Sequence, residues 1–419
     1  MRRLLAPIIS ILLLSAVSLA DGLISTGVGG NGFIKPGQTP TPTATPTPTA
    51  TPVPVGTINN FGGFEFADAD DFVSKAGSTS VISSVDCNTG TYCLQINPTT
   101  TGAASAGFGI GFTAAGLIQS AGHSEIYSNF AFKTNTKPGS GSEQIWVWRS
   151  TFGDVASLRL DSAGKIRVYD ASDTLLATGT TILGTGTWYK ISTHFLNGSG
   201  TGYMVKIDNV SELSGVGDFN TVSPTSVILG KNTNKSGQTV DFWYDDWALS
   251  TNGWVDNAQK TKAAGAVKEG AYNDWLSGTG GSDQQEIDDL PPDDDTTYTA
   301  TAGSGSARES FTIPDDSDFS GGATIINGVK VRAKCKEPSA VTSAFQVGLV
   351  SSATSTESVT TAANISTAYV SRYKLVMTDP DTGVAWDISA YNLSDVLIKE
   401  TNGVVVRCTA LSAEVNVQE

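Results

Sequence analysis

The chain has 419 residues, 45 of them Gly, with 16% charged side chains and a formal net charge of −15. That length exceeds one core, since single domains run to roughly 100–200 residues. The balance of 26 Lys and Arg against 41 Asp and Glu excludes nucleic acid as a main partner, because phosphate binding draws on clustered cations.

Met1 to Ala20 has the build of a signal peptide. Arg2 and Arg3 precede an apolar run from Leu4 to Leu19, and Ser18-Leu19-Ala20 supplies a small-residue cleavage pattern. The expected location is therefore secreted, extracellular or on a cell surface, with no membrane span left after cleavage. Residues 21–56 form a Thr/Pro-rich stalk. Its repeat from Gln38 to Val55 lacks the donors for a ladder and favours extended polyproline II.

Residues 57–254 read as a first β domain. In its opening FGGFEFADADDF, Phe64 and Phe66 flank Glu65 in strand alternation. Cys87 and Cys93 bracket a turn-rich loop short enough for a disulfide staple. Four Cys in an exported chain favour two bridges, and Cys335 with Cys408 is the second set. A meander follows at Gln144–Trp148, Ala156–Leu160, Lys165–Tyr169, Thr174–Leu176, Trp188–Phe195 and Tyr203–Ile207, with Gly-containing turns between. The most aromatic stretch, Thr239 to Ser250, closes the domain. Strict alternation there places Val240, Phe242 and Tyr244 on one face and Asp241, Trp243, Asp245 and Trp247 on the other.

Residues 255–297 read as an acidic linker with a short helix over AQKTKAAGAVKEGAYNDW, and residues 298–419 as a second Ser/Thr-rich β-sandwich. The expected fold class is thus all-β, two antiparallel β-sandwich domains joined by an acidic linker.

The run TWYKISTHF, GYMVKIDN, VILG and FWYDDWALS resembles a concanavalin A-like jelly roll of the LamG type, which makes the first sandwich a jelly roll. Such folds often hold a structural Ca2+ between first and last strands, and the resemblance implies Glu65 and Asp246 as ligands, with Asp68 and Asp245 nearby. The second unit is similar to β domains of phage structural proteins at Asp379-Pro-Asp-Thr-Gly-Val-Ala-Trp386.

Sugar binding would use aromatic faces with polar groups beside them. Trp146, Trp148 and Arg149 on one strand, with Trp243, are the candidates; core packing is the competing role for alternating Trp. Glucanases of this fold resemble one another in an ExDxxE strand. Here the nearest match is Glu286-Ile-Asp288, with Pro291 in place of the second Glu. No Ser has the flanking glycines of a nucleophile elbow. The expectation is a non-enzyme that recognises a polysaccharide or cell-surface glycan. The alternatives are a virion appendage or surface structural protein, and an accessory module of a polysaccharide-degrading system.

Overall fold

The computed structural model describes residues 58–65, 74–76, 80–96, 107–111, 124–150, 153–219, 224, 226–230, 239–255, 259–266, 268–278, 280–288, 292–301, 305–315, 325–339 and 342–418. The signal peptide, the stalk and Asp68 lie outside the described residues. The protein is all-β, two antiparallel sandwiches. Among the described residues, helix is confined to Ile388–Asn392 and a 3-10 turn at Gln284–Glu286, and no helix is long and apolar enough to cross a membrane.

One sheet of the first sandwich runs, in spatial order, Val210–Asp218, Ser199–Ile207, Tyr189–Leu196, Glu125–Thr136, Asp241–Ser250, Cys93–Ile96 and Ser80–Ser83. The other runs Leu175–Ile182, Lys165–Tyr169, Gly153–Asp161, Ser142–Ser150, Ser226–Gly230, Gly107–Gly111 and Ser74–Ala76. The meander expected from the sequence is present, most of its strands longer at the ends. Alternate positions supply the core between the sheets: Phe130 and Phe132, Trp146 and Trp148, Leu158 and Leu160, Ile166 and Val168. Each such side chain contributes about 1.5–3 kcal/mol by leaving water.

The closing strand Asp241–Ser250 pairs along one side with Glu125–Thr136. Its other side is shared by Cys93–Ile96, opposite Phe242–Tyr244, and Ile58–Gly62, opposite Trp247–Ser250. Between Asp245 and Ala248 the register slips, and Asp246 takes φ 46°. The extra residue reverses the parity of everything after it. Trp247, expected to lie with Trp243 and Asp245, instead turns into the core beside Tyr244 and Leu249.

In the second sandwich, one sheet runs Trp275–Ser277, Thr299–Thr301, Arg407–Gln418, Ile325–Lys336 and Val370–Val376. The other runs Lys268–Asn273, Arg308–Thr312, Ser394–Glu400, Ser343–Ser351 and Glu357–Val359. Residues 255–297, expected as a linker with a short helix, instead supply strands to both sheets. Gln259–Gly265 pairs along its length with Arg407–Gln418 and buries Thr261. Ala and Lys favour helix by only tenths of a kcal/mol per residue, less than a sheet edge offers in paired backbone and buried side chain.

Both expected disulfides are formed. Cys87–Cys93 staples a short loop, and Cys335–Cys408 joins directly opposed positions of neighbouring strands. The two sandwiches belong to one compact unit. Phe61, Ala248 and Val255 of the first pack with Leu375 and Met377 of the second, and Lys330 Nζ donates to the Phe61 carbonyl at 3.3 Å.

Candidate functional site

Three of the four expected metal ligands meet where the closing strand bulges. Donors from the Cys87–Cys93 loop and from the bulge itself converge on them. Asp245 Oδ2 accepts from the backbone N–H groups of Asn88 (3.0 Å) and Thr89 (3.1 Å), and Oδ1 from Asp246 N–H (2.9 Å). Asp246 Oδ2 accepts from Asn88 Nδ2 (2.7 Å) and Oδ1 from Thr89 Oγ1 (2.6 Å). Glu65 Oε2 accepts from Thr91 N–H at 2.9 Å. Gly90 has φ 60°, and a Cβ there would collide with Glu65 Oε1, so the loop needs glycine at that point.

The second sandwich completes this set. Thr261 N–H donates to Asp246 Oδ1 at 2.8 Å, and Glu65 N–H donates to Glu414 Oε1 at 2.9 Å. Burial pushes Glu65 up to about 8, with the Glu414 and Asp246 charges adding to the effect. Asp245 and Asp246 are raised as well, burial being the first cause in each.

The expected sugar-binding residues are dispersed by the fold. Trp146 and Trp148 are fully buried, and Trp146 stacks on Phe195 with ring centroids 5.1 Å apart, so both indoles are core. Bulky apolar side chains at alternate positions face whatever covers that side of the sheet, here the opposite sheet. Arg149 points the other way, half-exposed, with Nη1 3.8 Å from Asp154. Trp243 is buried beneath Lys133, whose Nζ lies 4.5 Å from the ring centroid.

A different group is brought together on the outer face of the closing-strand sheet. His194 stands directly opposite Tyr127 on the neighbouring strand, and the two rings stack at 4.0 Å with 5° between their planes. Trp254 meets both edge-on, at 5.5 and 5.9 Å, and Lys206 Nζ lies 3.8 Å from its centroid. Glu125 Oε2 accepts from Tyr127 OH at 3.1 Å and lies 3.0 Å from His194 Nε2. All five side chains are half-buried. Burial, helped by the Glu125 charge, pushes Tyr127 up to about 12, so its phenol keeps its proton at neutral pH. No local motif marks His194 or Trp254 in the sequence. Their partner across the strands is visible only once the register is known.

The opposite sheet carries a second polar group on its outer face. Arg167 pairs with Asp161 at 2.9 Å, Arg159 pairs with Asp173 and stacks on Tyr169. Burial alone would raise Tyr169, but hydrogen bonds from Ser142 and Arg167 and the two guanidinium charges outweigh it and leave it below the ordinary phenol value. Both cations here are paired within the chain.

No protein-family model matches the chain, and no curated protein sequence does. Solved structures similar to it include an endo-β-1,4-glucuronan lyase from the fungus Trichoderma reesei, at 10% identity and TM-score 0.37 over 47% of this chain and 96% of that one. A cellulose-induced protein matches at 16% identity and TM-score 0.32, over 45% and 91%. An alginate lyase of polysaccharide lyase family 7 matches at 12% and 0.32, over 42% and 84%. Likeness at this level assigns no residue a role. It overturns one expectation nonetheless: the non-enzyme reading leaned on the missing hydrolase signatures, and the jelly rolls this chain is similar to include two lyases.

Proposed function

We propose that the protein is an exported, carbohydrate-active protein whose first sandwich takes an acidic polysaccharide on the sheet face bearing Tyr127, His194 and Trp254. The observation that carries this reading is the aromatic platform: a stacked phenol and imidazole with an indole at their edge, half-exposed on paired strands. Pyranose rings dock on such surfaces while polar tips fix their hydroxyls. Lys206 shares the face and, in a chain of net charge −15, favours a carboxylated sugar over a neutral one. Export rests on residues 1–20 and on two disulfides, which persist in oxidising compartments.

The test is affinity electrophoresis of the full chain through gels holding alginate, glucuronan or cellulose. Trp254→Ala and His194→Ala should each weaken retention about tenfold, the worth of a ring contact near 1.4 kcal/mol. Undiminished retention in both variants removes the platform from the account. No retention on any polysaccharide, together with filaments or virion copurification, supports the assembly role instead.

Cleavage is the second reading, favoured by the carboxylate between the imidazole and the phenol. With Nε2–H donated to Glu125, His194 Nδ1 holds the lone pair that can take a proton from carbon beside a uronate carboxylate. The phenol of Tyr127 can protonate the departing glycosidic oxygen as the C–O bond breaks and a C=C bond forms. Incubation with alginate and glucuronan should then generate the ultraviolet absorbance of an unsaturated uronate, and His194→Ala should abolish it.

The calcium implied at Glu65, Asp68, Asp245 and Asp246 has little support from the three of these that are described. A calcium ion needs 6–8 inward lone pairs, whereas the loop turns N–H and O–H donors onto the carboxylates. This set reads better as a tie between the two sandwiches.

A further inference from the structure

Glu269, Asp283 and Glu309, in the second sandwich, make a group of a different kind. Glu269 sits on the strand Lys268–Asn273 and Glu309 on its partner Arg308–Thr312, while Asp283 leads into the turn Gln284–Glu286. One carboxylate oxygen from each lies within 4.8 Å of the others. Glu309 is fully buried and Asp283 nearly so.

Each carboxylate has one oxygen held by the protein. Trp275 N–H donates to Glu309 Oε2 at 3.0 Å, Gln284 N–H to Glu269 Oε1 at 3.1 Å, and Thr299 Oγ1 to Asp283 Oδ1 at 3.2 Å. The other oxygens of the two glutamates, Glu309 Oε1 and Glu269 Oε2, are buried and have no donor, and the two carboxyl groups are in direct contact. Among the described residues, no Lys or Arg forms an ion pair with any of the three. Two carboxyls in contact with no donor between them must share either a proton or a cation.

We infer that Glu269, Asp283 and Glu309 form a binding site for a hard divalent cation of the calcium class, which clamps the Lys268–Asn273 and Arg308–Thr312 strands to the Gln284–Glu286 turn. The geometry suits that class. Oxygens coordinated at about 2.3–2.6 Å stand at most about 5 Å apart across the ion, matching the observed spread. The donor set is all carboxylate, which excludes a soft-metal thiolate site. Oxygens fixed on one side and bare on the other are oriented in advance, as coordinating carboxylates are when their outer partners are in place.

The experiment compares melting of the full chain in EDTA and in millimolar CaCl2, for the native sequence, Glu269→Gln, Glu309→Gln and, as control, Glu65→Gln. Calcium should raise the melting temperature of the native chain and of Glu65→Gln, and should do little for the other two. In EDTA, Glu309→Gln should melt at or above the native chain, since the amide relieves the bare oxygen, and the order should reverse in calcium. Terbium luminescence excited through tryptophan, with Trp275 adjacent, provides a second readout that does not depend on the buried variant folding. Glu269→Gln, half-exposed, should weaken terbium binding at least roughly tenfold. Identical melting of the native chain in both buffers with no sensitised terbium emission overturns the site in favour of a shared proton. A full calcium response in Glu269→Gln overturns it equally.

Discussion

Glu65 is the residue on which the first sandwich meets the second. Its folded value of about 8 stands above the ordinary 4.5 because burial disfavours the charge, with Glu414 and Asp246 adding repulsion. Asp245 and Lys330 also face this set, Lys330 Nζ lying 3.8 Å from Glu414 Oε2. A folded value above the unfolded one means that the folded state binds more protons between the two, so stability falls as pH rises from about 4.5 to about 8. In EDTA, the melting temperature should therefore decline across that window, and Glu65→Gln should flatten the decline. A native profile that climbs from pH 5 to 8 would show the carboxylate to be better satisfied when charged. The same residue illustrates what a sequence can say of a site: alternation in FEF places Glu65 on the first strand, whereas that strand ends at Gly62 and Glu65 follows Phe64, at φ 66°, in a turn, and nothing local marks the loop that supplies its donors. Those come from Thr91 and Tyr92, some 26 positions away.

At the scale of elements, the two disulfides do unequal work. Cys335–Cys408 spans a separation of 73 residues, for which loop closure alone is worth about 4 kcal/mol, against about 2 kcal/mol for the separation of 6 in Cys87–Cys93. The short loop, however, also presents the donors to Asp245, Asp246 and Glu65. Replacing Cys87 and Cys93 together by Ser should thus cost more than its loop entropy in urea unfolding, and loss of Cys335 and Cys408 close to theirs. If the short bridge costs no more than about 2 kcal/mol, the loop's hydrogen bonds add nothing beyond closure. The bulge at Asp246 belongs to this scale too. An aromatic-rich strand announces itself, but a one-residue slip is decided by which two strands share its edge, and no local pattern records that.

At the scale of the whole molecule, the two sandwiches are held by a small apolar patch around Phe61 and a buried cation. Lys330 is enclosed between the Phe61 carbonyl, Glu414 and the rings of Trp247 and Tyr373. Removing one partner of such a buried pair costs about 3–5 kcal/mol, because the other charge is left behind. Calorimetry should show the sandwiches unfolding together in the native chain, and Lys330→Ala should lower and split that transition. A single, unshifted transition in the variant would mean the tie is carried by the Phe61 patch and the Glu65–Glu414 and Thr261–Asp246 hydrogen bonds without the cation.

The sequence by itself determined the all-β class, the strands of the meander and both disulfide pairs. Each of these follows from local alternation, turn chemistry or a small number of pairing choices. Only the tertiary structure decided that Trp146 and Trp148 are interior, that Trp247 turns inward, that residues 255–297 add strands to the second sandwich, and that Tyr127, His194 and Trp254 form one surface. Alternation marks two faces of a strand but not which is covered, and covering depends on strands far away in the chain finding each other at one register.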